Sequence, residues 1–86
     1  MGRFYFHLRS GKKVIADEEG SDLPDVAAAR LEALAAARYI LADAIRSGTE
    51  NIPEAFVISD SEGRELETVN LAMVLPERFR SLTLKA

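Results

Sequence analysis

The 86-residue chain has no cysteine and no tryptophan, a single histidine, and only five glycines and three prolines. Without cysteine there is no disulfide framework, no thiolate metal site and no Cys-His nucleophile, which agrees with a reducing compartment and sets the cytoplasm as the expected location. A lone histidine restricts any metal site to one imidazole plus carboxylates. Long apolar runs are also missing. The most apolar stretch is broken by Arg30, Glu32, Arg38 and Asp43, so no membrane span is expected. The opening residues, "MGRFYFHLRSGKK", place charges on both sides of a short apolar segment and predict no secretory leader; Phe6 at the sixth position removes a myristoylation signal.

An excess of positive charge is absent too. Eleven Lys and Arg against 14 Asp and Glu leave a net charge of −3, the wrong sign for a protein that binds chiefly by neutralising phosphates. There is no phosphate-binding glycine loop, no G-x-G-x-x-G and no G-x-S-x-G turn. The acidic group Asp17, Glu18, Glu19, Asp22 and Asp25 lacks the alternating ligand spacing of an EF-hand and reads instead as caps and favourable charge ahead of a helix. No enzyme activity, cofactor or metal is expected.

What remains is an ordinary globular composition, 48% hydrophobic and 29% charged, sized for one domain. So short a chain buries little surface, and oligomerisation is a common remedy. In "RFYFHLR", alternation puts Phe4, Phe6 and Leu8 on one side of a strand and Arg3, Tyr5, His7 and Arg9 on the other. A hairpin to "KKVIA" follows. With Ser10 and Gly11 as its loop, Arg9 pairs with Lys12 and Phe6 with Ile15, which sets Ile15 on the core face; a three-residue loop sets Val14 opposite Leu8 instead.

From Val26 to Ser47 there is neither glycine nor proline, Asp25 is placed to cap and Gly48 to stop, so a helix is predicted there. Its buried face should hold Val26, Ala33, Leu34, Ala37, Ile40, Leu41, Ala44 and Ile45, with Glu32, Tyr39, Asp43 and Arg46 opposite. Arg30 should close on the acidic loop. "EAFVISDSEGRELETV" reads as a second hairpin around Ser61-Glu62-Gly63, with Asp60 facing Arg64, Ile58 facing Leu66, and Glu65, Glu67 and Val69 turned away from the helix.

These elements predict an α+β fold: a two-layer ββαββ domain over residues 1–70, its four-stranded antiparallel sheet in the order 2-1-3-4 and covered on one face by the helix. Were strands one and four neighbours, Glu65 and Glu67 would pair with Arg3, His7 and Arg9. Residues 71–86 form an extension too apolar for a frayed end. It carries Leu71, Met73, Val74, Leu75, Phe79, Leu82 and Leu84, with a helical turn expected from Pro76 to Arg80 and a strand-like "SLTLK". It either packs on this domain or docks on another protomer.

Taken together, "RFYFHLR", "DEEGSDLPD", "AAARLEALAAAR" and "VISDSEGREL" resemble a family of short bacterial proteins, mostly alphaproteobacterial, known as a domain of unknown function. The resemblance covers roughly the first seventy residues and implies no activity. The functional expectation is therefore a protein-contact module, self-association as a homodimer being its simplest form. Its candidate contacts are Arg3, Tyr5, His7, Arg9, Leu75, Phe79, Leu82 and Leu84. The alternative is nucleic-acid binding through Arg3, Tyr5, His7 and Arg9 on an open sheet, although one tyrosine makes a poor stacking platform.

Overall fold

A computed structural model of the chain describes residues 2–80. The fold is α+β, with one long helix packed on one face of an antiparallel sheet. The strands are β1 (Gly2–Ser10), β2 (Lys13–Ile15), β3 (Ser21–Leu23), β4 (Ala55–Ser59) and β5 (Glu65–Asn70), and the helix α1 (Val26–Ser47) lies between β3 and β4. The path β2-β1-β4-β5 is the expected 2-1-3-4 order. The strand count is not the expected one, since "SDL" forms β3, a fifth strand. β1 is nine residues long and β2 only three, so β2 covers Leu8 to Ser10 and leaves the edge groups of Gly2 to Phe4 to pair with β3.

The first hairpin adopts neither expected register. Its loop is Gly11-Lys12, with Ser10 opposite Lys13, Arg9 opposite Val14 and Leu8 opposite Ile15. Gly11 takes φ +61°, the left-handed value demanded at the first central position of a two-residue hairpin turn, which draws Ser10 into the strand. Ile15 is not core: at the sheet edge it is 67% exposed.

α1 has the predicted ends. The Asp25 side chain accepts the Ala28 N–H at 2.9 Å, and Gly48, at φ +75°, donates to the Ala44 carbonyl. Ala29, Ala33, Ala37 and Ala44 are buried and Leu34, Ile40 and Leu41 partly so. Val26 and Ile45 are exposed rather than buried: Val26 is the first helical residue, and Ile45 stands about 100° around the axis from the buried Ala44.

The second hairpin begins in the predicted register and leaves it. Asp60 N–H bonds the Arg64 carbonyl and Gly63 has φ +83°, but a bulge follows, so that Ser59 faces Glu65 while Ile58 faces Glu67. The extra residue is Leu66, 43% exposed. Beyond it every side chain changes face, and Glu67 and Val69 turn toward the helix. Val69 therefore joins Phe4, Phe56, Ile58 and the helix alanines in the core, and Arg30 pairs with Glu67 at 2.9 Å instead of with the acidic loop.

After β5 a 3₁₀ turn, Leu71–Val74, packs on α1 and buries Leu71. These residues complete the core on the helix layer rather than covering the open sheet face. The Phe79 and Arg80 N–H groups bond the Pro76 carbonyl, as the expected turn requires. Leu82, Leu84 and the strand-like "SLTLK" lie outside the described residues. No described helix is long and apolar enough to cross a membrane.

Candidate interaction surface

The sheet face away from α1 carries Arg3, Tyr5, His7 and Arg9 on β1 beside Ala55, Val57 and Ser59 on β4. Their register sets Tyr5 opposite Ser59, His7 opposite Val57 and Arg9 opposite Ala55. The three β4 residues are buried although no described helix lies over them; they sit between β1 and β5, paired on both sides. Tyr5 and His7, two apart on one strand, hold their rings parallel at a centroid separation of 6.4 Å.

Asp17 organises this face. It sits in the chain that passes along the β1 edge between β2 and β3, where Phe6 N–H has no strand to bond. The Asp17 carboxylate takes that N–H at 3.1 Å and those of Glu19 and Gly20 at 3.2 Å each. Partial burial works to raise the Asp17 carboxyl, but the three backbone N–H donors outweigh it and hold it below the ordinary value.

Asp17 also settles the state of His7. Its backbone N–H donates to His7 Nδ1 at 3.0 Å, and Nε2 lies 2.9 Å from Ser59 Oγ. An amide N–H can only donate, so Nδ1 is the bare nitrogen of the neutral ring and the Nε2 proton points at Ser59. A histidine that activates a serine needs the opposite arrangement, Nε2 accepting and Nδ1–H donating.

The arginines of this face are engaged as well. Arg3 bonds Asp22 at 2.7 Å and the Glu19 carbonyl at 2.9 Å; the bond and charge of Asp22 raise its already high pKa. Arg9 lies 3.7 Å from Glu54. Neither they nor His7 meets Glu65 or Glu67, since β4 separates β1 from β5. Of the tail residues, Leu75 is half-buried and Phe79 is 52% exposed. No enclosed cavity opens and no cluster of metal-ligating side chains forms among the described residues.

The chain belongs to the family described as a domain of unknown function, DUF6894, which spans residues 3–72. That span runs from the start of β1 into the 3₁₀ turn and takes in Asp17, His7, Ser59 and the bulge. No curated protein and no solved structure matches this chain.

Two features of the surface escape a reading by residue type. Asp17 looks like one more acidic residue before a helix, yet it stands eight positions ahead of the N-cap, beyond the reach of the helix dipole. A single aspartate ahead of "GSD", after a strand too short to cover β1, was the available signal. Ser59 carries no local signal, because only the β1–β4 register brings it to His7.

Proposed function

We propose that this domain is a non-enzymatic protein-contact module whose partner is a second copy of itself. The observation that carries the reading is how its apolar side chains are distributed. Among the described residues five of the eleven buried hydrophobic ones are alanines, and Ile58 and Val69 are the largest side chains with almost no exposure. Side chains as large or larger stand in solvent: Ile15, Leu31, Tyr39 and Ile45 are each at least 66% exposed. A small domain that spends its large apolar groups outside its core gains from burying them against another surface.

The chemistry of the sheet face favours contact over catalysis. His7 is held in the tautomer that donates to Ser59, and among the described residues no cleft opens beside it. The same engagement weakens the nucleic-acid alternative, because Arg3 and Arg9 already face Asp22 and Glu54.

Native mass spectrometry of the untagged chain, over a range of concentration and salt, tests the reading. The expected result is a species of twice the 9.5 kDa chain mass that grows with concentration. A 9.5 kDa monomer at every concentration would overturn it, and a salt-labile nucleic-acid adduct would move the function to the sheet face.

A further inference from the structure

We infer that two copies of the chain pair through the solvent face of α1, antiparallel and about a two-fold axis between residues 38 and 39. This inference rests on the self-association reading and names its surface. Opposite the buried alanines, Ala35 and Ala42 form a line along the helix. Leu31, Arg38 and Ile45 recur every seven residues on one flank of that line, and Glu32, Tyr39 and Arg46 on the other. All eight are exposed, with Leu31 at 66%, Tyr39 at 75% and Ile45 at 73%.

The two-fold axis decides the orientation. In an antiparallel pair each flank meets its own copy running the other way. Centred between 38 and 39, this register sets Leu31 opposite Ile45, Ala35 opposite Ala42, Glu32 opposite Arg46 and Tyr39 opposite Tyr39. Two ion pairs and two aliphatic pairs flank an aromatic centre, and the alanines let the axes approach closely. Arg38 meeting its copy is the one unfavourable pairing. A parallel pair would set each flank against the other, Leu31 against Glu32, Arg38 against Tyr39 and Ile45 against Arg46, with neither ion pair formed. An antiparallel slip that centres on Ala35 sets Glu32 near Tyr39 and Arg38 near Leu31, losing both ion pairs.

The absence of cysteine makes the geometry directly testable. Under mild oxidation the Tyr39→Cys protein should cross-link to itself. Leu31→Cys should not, since its two copies stand roughly 22 Å apart along the axis, but a mixture with Ile45→Cys should form the mixed dimer. Charge provides a second measurement on the cysteine-free protein. Glu32→Arg and Arg46→Glu should each weaken the dimer about tenfold and the double exchange should restore it, while Arg38→Leu should tighten it. A dimer indifferent to all of these would leave self-association standing and overturn the helix surface; a wild-type chain that stays monomeric would overturn both.

Discussion

Arg30 Nε lies 2.9 Å from Glu67 Oε1, tying the helix to the edge strand β5 through a residue that an unbulged strand would have turned away. The pair is partly exposed on both sides, so its energy is small. A double-mutant cycle of Arg30→Ala and Glu67→Ala should give a coupling of about 0.2–1 kcal/mol that fades at high salt. The bulge makes a sharper prediction. Deleting one residue from a strand normally inverts its faces, but deleting Leu66 removes the extra residue and leaves Ser59 opposite Glu65 and Ile58 opposite Glu67. Denaturant unfolding of that deletion should fall within about 1 kcal/mol of wild type, and a chain that fails to fold would show that the bulge itself is required.

Asp17 should set part of the acid stability. Asp17→Ala leaves the Phe6, Glu19 and Gly20 N–H groups to water and should cost about 1–2 kcal/mol near neutral pH, toward the lower end because solvent reaches this loop. Because folding lowers the Asp17 pKa, its contribution is complete above the ordinary value of about 4 and drains away as pH falls through the folded one. Stability measured against pH should therefore fall less steeply on acidification in Asp17→Asn than in wild type. Equal slopes would mean that the carboxylate has the same affinity for protons in both states.

The elements that could be read from the chain are those whose signals are local. Asp25, Gly48 and the unbroken stretch between them delimit α1, and Gly63 with Asp60 delimits the second turn. Phe4 and Phe56 were legible as core from alternation alone. What could not be read depends on residues far apart. Nothing within "RELETV" announces a bulge, so alternation alone puts Glu67 and Val69 on the wrong face. β3 is three residues long and becomes a strand only because β1 has an uncovered edge. The alternation of β1 put Tyr5 and His7 on the outer face, but the partner that fixes His7 comes from a loop ten residues away and the one it donates to from a strand 52 away.

The tautomer of His7 is directly observable. Long-range ¹H–¹⁵N spectra at neutral pH should show the proton on Nε2, and a proton on Nδ1 would contradict the Asp17 contact. Asparagine and glutamine divide the two bonds, since the Asn carbonyl can stand where Nδ1 accepts and the Gln amide where Nε2 donates. His7→Phe loses both, leaves the buried Ser59 hydroxyl unpaired and should cost about 1–3 kcal/mol. Adding Ser59→Ala to His7→Phe should recover part of that loss; a purely additive double mutant would mean that the hydroxyl finds another partner.

Gly20 and Gly48 offer a controlled comparison of two left-handed glycines. Both have positive φ, +71° and +75°, so alanine at either carries a backbone cost of about 1 kcal/mol. At Gly48 nothing lies within 4 Å of the added Cβ, whereas at Gly20 it would sit 2.9 Å from Tyr5 Cε2 and 3.0 Å from the Phe4 carbonyl oxygen. The ring could swing aside, but the carbonyl belongs to a residue paired with β3 and cannot follow. Gly20→Ala should therefore destabilise more than Gly48→Ala in denaturant unfolding, and Tyr5→Ala should relieve only the part due to the ring. Equal losses at the two glycines would mean that the loop shifts away from β1 at little cost, and the Asp17 hydrogen bonds on which His7 depends would then have to give way in the same variant.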